Sequence, residues 1–181
     1  MKRFFLSLFS YASLIISGQT KLSYDVCVYG GTSAGVIAAY SAAKMGKKVI
    51  LVESGKHLGG LTSGGLGYTD IGNKYAIRGL ALDFYRRVGK HYGKFEQWIF
   101  EPHVAEEIFN DYIKKANVAI LFEYRVIAAE KNNGFVREII LENASKPSSS
   151  SNKIVAAKMF IDCSYEGDLM AQSEVSYTVG K

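Results

Sequence analysis

An α/β fold with a parallel sheet, flanking helices and an inserted antiparallel β-meander is what this sequence predicts, on three observations. The segment Val26–Glu53 reads as an apolar strand, a glycine turn, a small-residue helix and a second apolar strand ending on an acid, which is the layout of a dinucleotide-binding βαβ unit. Two stretches with apolar residues at helical spacing follow, at residues 77–92 and 102–116. From Val118 the apolar period drops to two, and Asn132-Asn133-Gly134 supplies a hairpin turn. A βαβ start, helices and a late meander together make the domain Rossmann-like.

The first nineteen residues are a separate object. Lys2-Arg3, the apolar run Phe4–Ile16 and the small polar exit Ser17-Gly18-Gln19 read as a secretory signal peptide over residues 1–19, the apolar run being short for a membrane-spanning helix. The chain is therefore expected to be secreted or periplasmic, touching a membrane only transiently through that peptide. Residues 24–181 form the remaining unit, of a size for one compact domain. The formal charge of +5 falls to +3 without residues 1–19, which hold Lys2 and Arg3 and no acid. No basic stripe interleaved with aromatics is present, so the sequence argues against nucleic acid as a partner. Cys27 and Cys163 lie in apolar runs without metal-ligand spacing and read as buried thiols; they could meet if their strands are neighbours. No metal site is expected.

Each part of the first unit has a physical task. The run Val26–Tyr29 suits a parallel strand buried on both faces. Gly30 can make the sharp turn and Gly35 lets the helix press close. Free amides at the helix start favour a pyrophosphate, and Glu53 stands where a carboxylate accepts hydrogen bonds from both hydroxyls of a ribose. The middle position of the G-x-G-x-x-G pattern is Thr32, whose side chain holds the phosphates further off or adds its hydroxyl to them. Gly30 and Gly35 also have P-loop spacing, but Val36 and Ile37 stand where Lys and Ser/Thr are needed. Taken alone, the loop also fits a tight strand-to-helix turn that binds nothing.

The helix after the turn runs from Ser33 to Met45, with Gly35, Ala38, Ala39, Ala42 and Ala43 as a small packing face and Gly46 as its stop. Next comes His57-Leu-Gly-Gly-Leu-Thr-Ser-Gly-Gly-Leu-Gly67, too glycine-rich for a helix or strand. Its leucines are out of place in a solvated linker, so something approaches this backbone closely. The helix at Ile77–Tyr92 carries Leu80, Phe84 and Val88, and the next starts at Pro102, where proline fits the first turn. Strands are expected at Ile120–Ala129, Phe135–Leu141 and Lys153–Ile161, the last rejoining the parallel sheet at Met159–Asp162. His57 reads as an exposed loop residue, His91 as a cation at a helix end, and His103 has no assigned chemistry.

Four motifs in order carry a resemblance over roughly Tyr24–Lys181. They are Gly30–Gly35 with Glu53; His57-Leu-Gly-Gly-Leu-Thr-Ser-Gly-Gly65; Glu123-Tyr-Arg-Val126; and Phe160-Ile-Asp-Cys-Ser-Tyr-Glu-Gly-Asp168. With these the chain resembles the FAD-dependent oxidoreductases of the glutathione-reductase-like FAD/NAD(P)-binding superfamily, in their N-terminal FAD-binding portion. Two departures stand out: Thr32, and Cys163-Ser164-Tyr165-Glu166 where the family often has Ala-Thr-Gly-Asp.

The resemblance implies roles. Gly30, Gly31, Thr32, Ser33, Ala34 and Gly35 would hold the FAD pyrophosphate and Glu53 the adenosine ribose. The main chain of Val126 would meet adenine. Gly59, Gly60, Leu61, Thr62, Ser63, Gly64 and Gly65 would line the ribityl and isoalloxazine end. Gly167 and a buried Asp168 would close the phosphate side; the plain alternative for Asp168 is a helix N-cap without a ligand. Members of the family are several hundred residues long, so the chain reads as an incomplete unit without its substrate region. No catalytic residue is named, and a small molecule is the expected substrate. Two further classes fit parts of the sequence. A nicotinamide-dependent dehydrogenase explains the first unit but not the second glycine loop. A non-catalytic secreted ligand-binding module explains the export signal and length; some relatives carry a xanthan lyase label, but the base and charge-neutralising groups of a lyase are not evident.

Overall fold

The structure, a computed structural model, describes residues 20–180; the segment read as a signal peptide lies outside them. Its strands are β1 (Thr20–Tyr29), β2 (Val49–Glu53), β3 (Ala119–Phe122), β4 (Tyr124–Asn132), β5 (Phe135–Asn143) and β6 (Lys153–Asp162). The helices are α1 (Ser33–Lys44), α2 (Gly79–His91), α3 (Pro102–Lys115) and the short α4 (Asp168–Gln172). The six strands form one sheet in the order β3-β2-β1-β6-β5-β4. β3, β2, β1 and β6 are mutually parallel neighbours, whereas β6, β5 and β4 pair antiparallel. The expected parallel sheet with an inserted meander is thus observed.

One expected strand is two. The period-two run Ile120–Ala129 is cut at Glu123, which has φ of 60°, a left-handed conformation unfavourable for a residue with a Cβ. Hydrogen bonds hold it there: its amide donates to the Gly55 carbonyl and its own carbonyl accepts from Ala144. The break lets β3 stay beside β2 while β4 joins β5 as the outer edge of the meander. The meander then folds over one face of the parallel strands, packing Val126, Ile139, Leu141 and Val155 against Cys27, Tyr29, Ile50 and Val52. On the other face α1, α2 and α3 bury Val36, Ala39, Phe84, Val88, Phe109 and Tyr112 against Val28 and Leu51. Strands covered on both sides carry continuous apolar runs, as Val26–Tyr29 and Val49–Val52 do. The β4–β5 turn is Asn133-Gly134, with φ of 52° and 79°, the pair of positive values that a two-residue type I′ hairpin requires.

The two cysteines do not meet. β1 and β6 are neighbours, but Cys27 sits opposite Phe160, three residues short of Cys163. At roughly 3.3 Å per residue that is about 10 Å along the strand. The side chains also belong to opposite faces, Cys27 to the meander core and Cys163 to the helix core. Both thiols are free, and burial pushes that of Cys27 up to about 12. A thiol reagent at neutral pH is therefore expected to label no more than Cys163 in the folded protein and to reach Cys27 only on unfolding. Equal labelling rates in native buffer would contradict this burial.

α2 and α3 are joined by a polar cluster. Asp83 accepts from the Tyr112 hydroxyl (2.5 Å) and from Arg87 Nε (2.7 Å), while Arg87 also reaches Asp111 at 2.7 Å. Burial raises the Asp83 carboxyl, but the hydrogen bonds from Tyr112 and Arg87 outweigh it and hold the group below its ordinary value of 3.8. A carboxyl depressed by folding adds stability above its unfolded pKa, and that stability is lost as pH falls through the lower folded value. Asp83→Asn is therefore expected to flatten the acid limb of a stability-against-pH curve below about pH 4. An unchanged acid limb would show that the cluster contributes nothing.

Candidate nucleotide cleft

The site grows from the C-terminal end of β1. Gly30 has φ of +97°, and a Cβ there would lie 2.6 Å from the Ser164 amide nitrogen and 2.7 Å from the Cys163 carbonyl carbon. Only glycine lets the turn after β6 close onto this strand end. A Cβ on Gly35 would fall onto the Gly30 carbonyl oxygen, so α1 is pressed against the turn as expected. Thr32 caps α1: its hydroxyl accepts from the Gly35 amide at 3.2 Å and donates to the Cys163 carbonyl at 2.9 Å. A hydroxyl has one proton, and that of Thr32 is spent on Cys163. The hydroxyl expected for the phosphates therefore ties the turn to β6. With Gly35 served by the cap, the amides of Ser33 and Ala34 are those the helix start leaves for an anion.

Glu53 ends β2 with its carboxylate pinned from both sides. One oxygen accepts from the Gly31 amide at 2.5 Å, the other from the Gly55 amide at 2.6 Å. A carboxylate offers about four acceptor positions; the oxygen on Gly55 also takes a long bond from the Ser54 hydroxyl at 3.4 Å, so it is the oxygen on Gly31 that keeps one for a ligand hydroxyl. Glu53 lines a cleft of about 140 Å³ together with Tyr29, Gly30, Thr32, Gly60, Tyr165 and Asp168. A pocket that encloses a drug-sized ligand holds about 300–1,000 Å³, so this cleft has room for no more than one end of a long ligand.

The second glycine loop leans on the first. The Gly59 amide donates to the Gly31 carbonyl at 2.7 Å, and Gly59 is buried under Phe109, where a Cβ would meet the ring at 2.5 Å. Gly59 thus packs the two loops together and is not part of the lining of the Glu53 cleft. Ser63 donates to the Leu58 carbonyl at 2.5 Å. Leu61, Gly64 and Gly65 are exposed. Thr62 turns to a separate apolar cavity of about 340 Å³, shared with Ser33, Ala34, Ile37, Phe84 and Phe109. Ser63 and Gly64 face a third opening beside His57, Pro102 and His103, so the expected residues are divided among three openings.

Five positions differ from expectation or add to it. Asp168 is exposed, not buried, because it starts α4 on the rim; lost hydration and the nearby Glu166 and Asp162 carboxylates raise its pKa. The acid that organises this turn is Asp162, which accepts from Ser164 N and Oγ and from the Met170 amide. Gly167 precedes the helix at φ of 73°. Val126 is buried, and its amide donates to the Tyr29 hydroxyl at 3.2 Å, so its main chain is not simply open to a ligand. Tyr165 crosses from the β6–α4 turn to accept from the Leu61 amide at 2.7 Å. Tyr29 and Tyr165 escape a sequence reading because their partners lie 97 and 104 residues away. His57 is exposed beside Glu106, with Nδ1 at 2.9 Å. Among the described residues no group of three His, Cys, Asp or Glu side chains is placed to hold a metal ion, and no helix is long and apolar enough to cross a membrane.

The fold recurs in solved structures. A geranylgeranyl bacteriochlorophyll reductase-like protein from Thermoplasma acidophilum superposes with a TM-score of 0.63 at 19% identity, over 89% of this chain and 44% of that one. A flavoprotein/dehydrogenase from Cytophaga hutchinsonii gives 0.63 at 18% identity, over 87% and 43%. The p-nitrophenol 4-monooxygenase PnpA from Pseudomonas putida gives 0.60 at 13% identity, over 88% and 45%. The chain spans less than half of each, and at these identities the likeness is one of fold. No curated protein matches the sequence. The family model described as FAD dependent oxidoreductase matches residues 25–181. The chain belongs to the FAD-dependent oxidoreductase family, whose cofactor is FAD.

Proposed function

We propose that this chain is the FAD-binding part of an exported oxidoreductase acting on a small molecule, and that it holds FAD across the first glycine turn. The observation that carries this reading is Glu53, whose carboxylate is fixed by the Gly31 and Gly55 amides and keeps acceptor capacity toward the cleft. Carboxylates at Glu53, Glu166 and Asp168 line that cleft; acceptors of this kind suit ribose hydroxyls and repel phosphate. The pyrophosphate belongs instead at the amides of Ser33 and Ala34, at the positive end of α1. The flavin end then passes toward the loop of Gly60, Leu61, Thr62, Ser63, Gly64 and Gly65. When bound, FAD accepts a hydride or electrons from a donor, and the protein's share is to hold and orient it. Export rests on the pattern of residues 2–19.

The test is a flavin-fluorescence titration of the chain with FAD, repeated with ADP as competitor. Binding of FAD that ADP displaces supports the adenosine end in the Glu53 cleft. FAD binding indifferent to ADP would overturn that placement.

A further inference from the structure

Tyr29 is the last residue of β1 and lines the Glu53 cleft while only 3% exposed. Its hydroxyl oxygen takes the Val126 amide proton across the gap between β1 and β4. A phenol carries one donor as well as acceptor lone pairs, and among the described residues no acceptor takes the Tyr29 proton. Tyr29 lines the cleft, so its proton is within reach of an acceptor that enters there. Burial raises its pKa, and the Asp168, Asp162 and Glu53 carboxylates add to this; the phenol stays protonated and can donate at any physiological pH.

We propose that Tyr29 sets nucleotide specificity at this site: its hydroxyl, held in place by the Val126 amide, donates to a ring nitrogen of the adenine base. The inference rests on the placement of the adenosine end in the Glu53 cleft. A backbone amide read directly by a base needs no side chain. Here that amide is spent on Tyr29, so the side chain at position 29 does the reading and Val126 positions it.

The experiment compares the chain and its Tyr29→Phe variant, which keeps the ring packing, against FAD, AMP and FMN by calorimetry. Loss of one hydrogen bond is expected to weaken FAD and AMP by roughly three- to tenfold and to leave FMN, which has no adenine, unchanged. In the unaltered chain, one of 1-deaza-AMP, 3-deaza-AMP or 7-deaza-AMP should lose the same factor, so the test does not depend on the variant folding. Tyr29→Phe should then be indifferent to that missing nitrogen. Tighter FAD binding by Tyr29→Phe would mean that the phenol competes with adenine for the Val126 amide, and would overturn the proposal. Equal affinity of the two proteins, or equal binding of all three deaza nucleotides, would also overturn it. Absence of FAD and AMP binding by the unaltered chain would instead remove the cleft placement itself, and the proposal with it.

Discussion

Gly30→Ala is expected to unfold the site and abolish FAD binding. At φ of +97° an L-residue is strained by about 1–3 kcal/mol. The added Cβ would also press on the Ser164 amide and the Cys163 carbonyl group, both main chain. Main chain cannot swing aside as a side chain can, so β6 and its following turn must move away from β1. That movement pulls Cys163 off the Tyr29 carbonyl and off the Thr32 hydroxyl, opening the α1 cap. Against a total stability of about 5–15 kcal/mol, the change should lower the denaturant midpoint clearly and leave no flavin bound. A Gly30→Ala protein with the stability and FAD affinity of the unaltered chain would show that the β6 turn does not rest on this strand end.

Glu53 separates architecture from binding. Glu53→Ala strips the acceptor from the Gly31 and Gly55 amides. Gly55 is exposed and water can replace the carboxylate, but Gly31 is buried; an orphaned buried donor costs about 1–3 kcal/mol. This variant should be both less stable and unable to hold FAD. Glu53→Gln keeps one oxygen for Gly31 but sets its NH2 against the Gly55 N–H; because Gly55 is exposed and can turn to water, stability should fall less than in Glu53→Ala. It loses the charge-assisted acceptor for the ribose, worth about 1.5–3 kcal/mol, and FAD affinity should fall by roughly tenfold or more. Undiminished FAD binding by Glu53→Gln would remove Glu53 from the cofactor site.

What was legible in the sequence was local. The turn of Gly30 and Gly35, the α1 helix, Glu53 at the end of β2 and the Asn133-Gly134 hairpin each need only neighbours within a few residues. Their residue types report backbone demands that no distant contact alters. Residues 1–19, read as a signal peptide, lie outside the described residues 20–180. The break at Glu123 was hidden because alternation of apolar residues continues straight through it, and only the bonds to Gly55 and Ala144 force the left-handed turn. Thr32 is visible in the sequence as a departure from the glycine pattern, but the use of its hydroxyl is decided by Cys163, 131 residues away. Tyr29 was absorbed into an apolar strand because a tyrosine inward on a strand looks like core until its hydroxyl partner is known. Asp162 and Asp168 show the same limit. Both are acids in one motif, and which of them is buried in hydrogen bonds depends on how α4 starts.

The most direct test of FAD binding at this strand end is the visible absorbance spectrum of the purified chain before and after FAD is added and excess removed. A retained flavin band with shifted, structured maxima is expected, lost in Gly30→Ala and weakened in Glu53→Gln. A colourless protein after FAD addition, from a chain whose circular dichroism shows it folded, would contradict it.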